Sequence, residues 1–242
     1  MPTSRYERAA RAAGYQVIAG LDEAGRGALF GPVFAAAVVL DPARPIRGLD
    51  DSKALDPDRR SVLAARIRER ACAWAVGAAD AFEIDRINIL QASKLAMCRA
   101  LDLLHVRCRS LEIRCDYLLI DALKLDVELP QKPLIHGDSR SFSIAAASIL
   151  AKVARDHALC EWGRVFPEYC LASNKGYGTP DHYAALDRLG PTALHRFSFE
   201  PVRKASPIEA WTGYPQLRPV VDSVAELVPG PFPEQGELFA CP

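Results

Sequence analysis

The sequence predicts a three-layer α/β domain, because short apolar segments of strand length alternate with longer segments of helical pattern. Residues 17–21 and 33–40 are predicted strands, joined by a glycine-rich turn at residues 25–32. The continuous apolar run at residues 117–120 has the length and composition of a central strand that is buried on both faces. A further strand is expected at residues 73–79.

The predicted helices begin at identifiable caps. Asp56 followed by Pro57 is typical of a helix start, because the side chain caps the first turn and proline needs no hydrogen bond there. Ser141 or Ser143 is expected to cap a long alanine-rich helix that ends near Trp162. Helices are also predicted at residues 88–104 and 181–189.

Composition excludes several classes of protein. Of the 242 residues, 50% are hydrophobic and 25% are charged, which is an ordinary globular mixture rather than a disordered one. No apolar run approaches the roughly 18 residues that a membrane helix needs, and no secretory signal precedes the polar start. The seven cysteines contain no Cys-x-x-Cys pair, which disfavours zinc and a disulfide framework. We expect a cytoplasmic monomer that does not bind membranes.

The charge distribution divides the chain. Residues 205–242 contain one Lys or Arg and five acidic residues, so residues 1–204 hold the other 29 basic and 25 acidic residues. Proline is frequent and periodicity fades after residue 204. We predict one domain at 1–204, with a helical C-terminal portion, and a poorly ordered, Pro-rich acidic tail at 205–242.

Four carboxylates stand next to the predicted strands or helices. Asp22 and Glu23 end the first strand, Asp121 ends the strand at 117–120, and Asp138 precedes the alanine-rich helix. Each has an ordinary alternative, a solvated strand end or a helix cap. Because side chains alternate along a strand, Asp22 and Glu23 are expected to share one site only if the backbone bends there.

The four carboxylates are nevertheless expected to meet, because neighbouring strands of an α/β sheet place their ends at one edge. Their mutual repulsion would then need divalent cations. Oxygen ligands without a Cys or His set favour Mg²⁺ or Mn²⁺ over zinc. Such a site suggests two-metal phosphodiester hydrolysis.

Other polar residues are candidates for nucleic-acid contacts. Ser148, Lys152 and Arg155 form one stripe of the alanine-rich helix that suits phosphates, unless it is simply a solvated face. Lys53, in the loop Asp51-Ser52-Lys53, could add a further phosphate contact.

Two glycine-containing segments could approach nucleic acid closely. Gly25-Arg26-Gly27 can expose backbone N–H groups, and Tyr177 lies between two glycines, where its ring could stack on a sugar or base or merely pack. The histidines do not form a metal-spaced cluster, so structural or surface roles are expected for them.

Taken in order, these segments resemble the ribonuclease HII family, the type 2 ribonucleases H. The resemblance covers about residues 15–203. It is carried by Gly20-Leu21-Asp22-Glu23-Ala24-Gly25-Arg26-Gly27, Gly31-Pro32-Val33, Asp51-Ser52-Lys53, Ile87-Asn88-Ile89, Ala92-Ser93, Ile120-Asp121, Gly137-Asp138, Ala145-Ala146-Ala147-Ser148-Ile149-Leu150-Ala151-Lys152-Val153, Lys175-Gly176-Tyr177-Gly178-Thr179 and His195-Arg196-Phe197-Ser198-Phe199. One departure is Ala122, which stands where the family commonly has glycine.

The resemblance implies an RNase H-like fold, with a mixed central β-sheet flanked by helices. It also implies an endonuclease that hydrolyses RNA in RNA/DNA hybrids and cuts at ribonucleotides embedded in duplex DNA, leaving 5′-phosphate and 3′-hydroxyl ends. The related type 3 enzymes carry an extra N-terminal domain, for which the 21 residues before Asp22 are too few, so type 2 is favoured.

By the same resemblance, Asp22, Glu23, Asp121 and Asp138 are the catalytic, metal-binding carboxylates. Recognition of the 2′-hydroxyl at an RNA–DNA junction is expected from four residues: Gly25, Arg26, Gly27 and Tyr177. Phosphate contacts are expected from three others: Lys53, Ser148 and Lys152.

Two other functions stay open. A 3′→5′ exonuclease or DNA-strand transferase uses similar metal chemistry, although such exonucleases typically separate the first two acids by one residue. The second is a nucleic-acid-binding module without catalysis, which four intact acids disfavour. Separately, Gln235-Gly236-Glu237-Leu238-Phe239 in the tail resembles the short bacterial sliding-clamp-binding pattern, with packing on the body as the alternative.

Overall fold

The computed structural model describes residues 1–206 of the chain. Its sheet has five strands in the order β3-β2-β1-β4-β5. Neighbours β1 and β2 are antiparallel, as are β2 and β3, whereas β4 is parallel to both β1 and β5. The mixed sheet is as predicted. The strands are β1 (Ile18–Ala24), β2 (Val33–Val39), β3 (Ala73–Ala79), β4 (Tyr117–Asp121) and β5 (Gln131–Leu134).

The helices account for most of the remaining described chain. Two single 3₁₀ turns, Gly137–Ser139 and Pro167–Tyr169, lie before and after the longest uninterrupted helix, α4. The α-helices are α1 (Arg5–Ala12), α2 (Pro57–Arg70), α3 (Ala81–Ser110), α4 (Phe142–Val165), α5 (Leu171–Asn174), α6 (Pro180–Leu189) and α7 (Glu200–Lys204). Within residues 1–206, no helix is both long and apolar enough to cross a membrane.

The chain forms two compact units. Of the described residues, the first contains 1–26 and 32–156, and the second contains 27–31 and 157–206. The whole sheet belongs to the first unit. The predicted division into a domain at 1–204 and a tail at 205–242 stays a prediction, because residues 207–242 lie outside the described part.

The register of the sheet explains its two helical layers. Ala36 pairs with Val76, and both pack with α2 and α4 around Leu63 and Ile149. The next pair, Ala35 and Gly77, must point to the other face, since side chains alternate along strands. There a Cβ on Gly77 would lie 2.5 Å from the backbone nitrogen of Ala100 in α3. The sheet of the first unit is therefore flanked by helices on both faces.

A second close approach fixes α4 against β1. A Cβ on Gly20 would lie 2.1 Å from the carbonyl carbon of Ser143, so only glycine allows this contact. Two residues later the strand reaches Asp22, and five residues after Ser143 the helix reaches Ser148. The packing of small residues thus sets the distance between a predicted metal ligand and a predicted phosphate contact.

The second unit has its own apolar core. Phe30 and Leu159 pack with Tyr169 and Leu186, and the ring of Phe30 contacts that of Phe166 at 5.9 Å between centroids. Phe30 belongs here because Gly31 donates its N–H to the Leu194 carbonyl at 2.9 Å. The short segment 27–31 is therefore an integral part of this unit.

The predicted caps are confirmed. Asp56 Oδ1 accepts a hydrogen bond from the Arg59 N–H at 2.8 Å. Of the two candidate serines it is Ser141 that caps α4, because its hydroxyl accepts from the Ile144 N–H. Helix α3 begins earlier than predicted, at a capping box on Asp80, and is interrupted at the predicted start, Asn88. Several elements were not predicted: α1, β5, α5 and α7.

Candidate active site

Asp22 and Glu23 lie within β1 rather than after its end. The ladder to β2 continues in single steps through both residues to Ala24, so β1 has no β-bulge at Asp22 or Glu23. Pairing with β4, by contrast, stops at Leu21. The strand is longer than predicted because β2 supplies hydrogen-bond partners beyond the point where the pairing with β4 stops.

Asp121 and Asp138 are brought together by the backbone between them. Asp121 is the last residue of β4, and its Oδ1 accepts a 2.6 Å hydrogen bond from the Gly137 N–H. Asp138, in the 3₁₀ turn before α4, accepts at Oδ1 from the Ser139 N–H at 2.8 Å. Ala122, next to Asp121, has a φ of 50°, a conformation that glycine adopts without strain and alanine does not.

The carboxylates act on one another electrostatically. Burial, then the charges of Glu23 and Asp121, hold the pKa of Asp22 well above its usual range. Burial is also the main cause of the raised pKa of Glu23, to which the charge of Asp121 adds. The pKa of Asp138 is raised by burial and by the charges of Asp51 and Asp121. Four predicted acids therefore form one electrostatically coupled group, in which negative charge is costly.

Three polar side chains lower the pKa values of these carboxyl groups. Arg26 Nη1 lies 3.2 Å from Glu23 Oε1 and lowers the pKa of that buried carboxyl. Lys53 lowers the pKa of Asp138, and a hydrogen bond from Ser148 lowers that of Asp22. Three residues predicted from sequence to contact substrate thus lie among the carboxylates.

The site suits a hard divalent cation by the chemistry of its donors. All four acids offer oxygen, and Glu23 Oε2 is buried with no hydrogen-bond partner among residues 1–206. An unsatisfied buried oxygen beside other carboxylates is a position where a cation is favourable. In the same part of the chain, however, no three His, Cys, Asp or Glu side chains are already arranged to hold a metal ion.

The predicted phosphate-binding stripe on α4 is mostly buried. Ser148 is buried, with its Oγ 2.9 Å from Ser52 Oγ. Lys152 Nζ forms a 2.6 Å ion pair with Asp156. Arg155 is fully buried, and a Cβ on Gly25 would lie 2.0 Å from its Nε, so it is not part of a solvated face.

Gly27 and Tyr177 belong to the second unit. The Leu29 N–H, two residues after Gly27, donates to the Gly176 carbonyl at 2.8 Å. A Cβ on Gly27 would meet nothing within 4 Å, and the Tyr177 side chain is 37% exposed. Both have the accessibility that a substrate contact requires.

The comparison with known proteins settles the family. The family model for ribonuclease HII matches residues 19–202. The chain belongs to the ribonuclease HII family. Ribonuclease HII of Solibacter usitatus is 58% identical over 200 residues, covering 83% of this chain and 85% of that protein. Members of this family are type 2 ribonucleases H, so the chain is a hydrolase that cleaves RNA in RNA/DNA hybrids.

Solved structures show the same RNase H fold. The crystal structure of Bst-RNase HIII in complex with Mn²⁺ matches with a TM-score of 0.67 and 22% identity, covering 81% of this chain and 71% of that one. The structure of the PCNA:RNase HII complex from Archaeoglobus fulgidus matches with a TM-score of 0.61 and 22% identity, covering 80% and 99%. The predicted RNase H-like fold is therefore confirmed.

Sequence reasoning missed two features near the predicted site residues. Asp51, treated only as part of a phosphate loop, adds its charge to the carboxylate group through Asp138. His182 and His195, for which only structural roles were expected, are in contact beside the Tyr177 loop. The motif His195-Arg196-Phe197 singles out His195 in the sequence, but nothing in it indicates that His182 is its contact.

Proposed function

We propose that this chain is a divalent-cation-dependent endonuclease that hydrolyses the RNA strand of RNA/DNA hybrids and cuts at single ribonucleotides in duplex DNA. The observation that carries the proposal is the coupled group of four carboxylates at the end of β1 and β4, in a chain of the ribonuclease HII family. A buried group of like charges is destabilising unless cations bind it, so it requires a functional explanation.

Asp22, Glu23, Asp121 and Asp138 would hold Mg²⁺ or Mn²⁺. Bound there, two such cations would supply Lewis-acid activation of the attacking water and would stabilise the charge that develops on the leaving oxygen. The Mn²⁺ complex of the Bst-RNase HIII structure supports this choice of metal. The raised pKa values of Asp22, Glu23 and Asp138 mean that protons compete with the cation for these oxygens.

The chain's own groups have the remaining tasks. Lys53, an exposed side chain whose charge reaches Asp138, would contact a phosphate next to the scissile one. Arg26 would keep Glu23 ionised and oriented through its ion pair. Ser148 would orient Asp22, since a neutral hydroxyl stabilises the charged carboxylate. Lys152 would contact phosphate only after leaving Asp156.

Recognition of RNA would depend on the 2′-hydroxyl, the group that separates a ribonucleotide from a deoxyribonucleotide. We assign this role to the backbone of Gly25, Arg26 and Gly27, and to the exposed ring of Tyr177, which would pack on the junction sugar. The open space at the Cα of Gly27 is favourable for a close approach.

The direct test uses a labelled DNA duplex with one internal ribonucleotide, incubated with Mg²⁺, with Mn²⁺ or with EDTA. We expect a single cut at the ribonucleotide with either cation, with 5′-phosphate and 3′-hydroxyl ends, and none in EDTA. The matched all-DNA duplex controls for unspecific cleavage. Cutting in EDTA, or cutting of the control duplex, would contradict the proposal.

A closed-circular substrate and a binding measurement distinguish the alternatives. An exonuclease requires an end, so it cannot open a covalently closed circle that contains one ribonucleotide. A nucleic-acid-binding module without catalysis would bind the duplex in EDTA and would not cut it in Mg²⁺.

We further propose that Gln235-Gly236-Glu237-Leu238-Phe239 binds a sliding clamp, although these residues lie outside the described part of the chain. Leu238 and Phe239 would fill an apolar pocket while Gln235 hydrogen-bonds at its rim. The PCNA complex of the Archaeoglobus fulgidus protein supports the search for such a partner. Replacing Leu238 and Phe239 by alanine should abolish clamp binding and leave oligonucleotide cleavage unchanged. No binding by the intact chain at tens of micromolar would end the idea.

A further inference from the structure

Two buried histidines of the second unit contact each other directly. His182, in α6, and His195 are both without exposed surface, and their Nε2 atoms are 3.0 Å apart. Tyr169 packs against both rings, and the ring of Phe30 meets His195 edge-on at 4.9 Å between centroids. Neither histidine has a task in the chemistry proposed above.

The backbone at either end of the pair fixes where the protons are. The Thr192 N–H donates to His195 Nδ1 at 3.0 Å, and a backbone N–H can only donate, so His195 Nδ1 carries no proton. The Tyr177 carbonyl is 2.9 Å from His182 Nδ1, and a carbonyl can only accept, so His182 Nδ1 carries one. Two neutral rings then place a single proton between the Nε2 atoms, on His195, which is the one arrangement that satisfies all three contacts.

A positive charge on either ring would break this series of hydrogen bonds. A proton on His195 Nδ1 would oppose the Thr192 N–H, and a proton on His182 Nε2 would oppose the N–H of His195. Burial and the neighbouring His182 lower the pKa of His195 to about 3, and burial lowers the pKa of His182. Both rings are therefore neutral near pH 7, as the hydrogen-bond pattern requires.

The chain of hydrogen bonds ends on the loop that carries Tyr177. Gly176, with a φ of 77°, offers its carbonyl to the N–H groups of Leu29 and Phe30, and Phe30 forms a β-bridge with His195. The next carbonyl, that of Tyr177, accepts from His182. Two consecutive peptide groups are thus held while the Tyr177 ring stays partly exposed.

We propose that His182 and His195 are positioning residues for Tyr177: the neutral chain Thr192–His195–His182 fixes the Tyr177 peptide, and thereby the ring at the RNA–DNA junction. This inference rests on the proposed function for the role of the ring itself. The alternative is that the two histidines only fill the core, in which case their replacement would affect stability and not substrate recognition.

Cleavage kinetics on the single-ribonucleotide duplex test the coupling. His182→Phe keeps an aromatic ring but cannot donate, whereas His182→Asn keeps an N–H near the Nδ1 position. We expect His182→Phe to lower kcat/KM about tenfold and His182→Asn to restore most of it. In a Tyr177→Ala background, His182→Phe should lower kcat/KM by a further factor of less than about two, because it acts through Tyr177. Independent, multiplicative losses, or equal activity of folded His182→Phe and wild type, would overturn the proposal.

Imidazole ¹H–¹⁵N correlation spectra separate this proposal from the proposed function. We expect His182 as the Nδ1–H tautomer and His195 as the Nε2–H tautomer at pH 7, with Tyr177→Ala leaving both unchanged. Any other pair of tautomers would overturn the positioning role whatever the cleavage data show. If the tautomers are as expected but Tyr177→Ala cleaves normally, then it is the recognition role of Tyr177 that fails, and with it the functional consequence of the chain.

Discussion

Asp121 Oδ1 accepts a 2.6 Å hydrogen bond from the N–H of Gly137, the residue directly before Asp138. One backbone group therefore joins the carboxylate at the end of β4 to the 3₁₀ turn that carries the next one. A Cβ on Gly137 would lie 2.6 Å from the Ile144 side chain, so the turn also depends on a glycine. This link holds Asp121 next to the turn that carries Asp138, and the charge of Asp121 raises the pKa of Asp138.

The mutual repulsion of the carboxylates predicts a gain in stability when one of them is removed. Asp22→Asn should raise the melting temperature in EDTA by about 2–4 °C, as expected for roughly 1 kcal/mol, because a neutral amide removes repulsion and still accepts from the Glu23 N–H. Mn²⁺ at ten times its Kd should stabilise wild type by about 1.4 kcal/mol and the variant much less. Asp102→Asn, at an exposed position of α3, is the control and should keep the full shift. A variant that melts lower in EDTA would contradict the account.

Replacement by alanine should destabilise the fold at Gly25 but not at Gly27. Gly25 has a φ of 95°, and a Cβ there would overlap buried Arg155, so Gly25→Ala should cost about 3 kcal/mol of unfolding free energy. A Cβ at Gly27 would meet no atom within 4 Å, so Gly27→Ala should change the free energy of unfolding by less than about 0.5 kcal/mol. If the backbone of Gly27 approaches the ribose, that stable variant should nevertheless lose cleavage at a single ribonucleotide. Denaturant titration and kinetics measure the two effects, and full activity of Gly27→Ala would remove Gly27 from the recognition site.

Tyr177→Ala should lower cleavage at an embedded ribonucleotide about tenfold, the magnitude expected from the loss of one stacked ring. Tyr183→Ala is the matched control, since Tyr183 belongs to the same unit and is 42% exposed. Both variants should melt like wild type. Equal kcat/KM values for Tyr177→Ala and wild type would refute the stacking role.

The histidine pair predicts an acid-sensitive contribution to stability. The pKa of His195 falls from 6.5 in the unfolded chain to about 3 in the fold, so its contribution is complete above pH 6.5. It is lost as the pH falls towards 3, by about 1.4 kcal/mol per pH unit. Unfolding free energies at pH 7.5 and 5.5 should therefore differ by roughly 1 kcal/mol more in wild type than in His195→Gln. Comparing the two proteins cancels the opposite effect of Asp22, Glu23 and Asp138, and parallel pH dependences would contradict the assignment.

The sequence predicts those parts of the fold that local chemistry determines. The cap at Asp56 and the buried run in β4 are such features, and the structure confirms both. Strand β5 was missed because Gln131, Lys132 and Pro133 have no strand pattern. It forms because its register with β4 supplies the hydrogen bonds, which is a long-range cause.

The candidate site was predictable in its members but not in its geometry. Asp22, Glu23 and Asp121 stand next to apolar strands and Asp138 precedes a helix, and it is the family resemblance that assigns metal binding to all four. That β1 continues through Glu23 depends on β2, and that Lys152 pairs with Asp156 depends on side-chain rotamers. The contact between His182 and His195 joins residues 13 positions apart, one in α6 and one after it, and no local sequence pattern indicates it.

The most direct test of the central claim is nicking of a covalently closed circular DNA that contains one ribonucleotide, by wild type and by Asp121→Asn. Asparagine retains the Oδ1 that accepts from Gly137 and loses the charge that would hold a cation, so the fold should survive. We expect wild type to open the circle in Mg²⁺ and not in EDTA, and Asp121→Asn to bind the circle but leave it closed. Near-normal nicking by Asp121→Asn in Mg²⁺, or nicking by wild type in EDTA, would contradict the account.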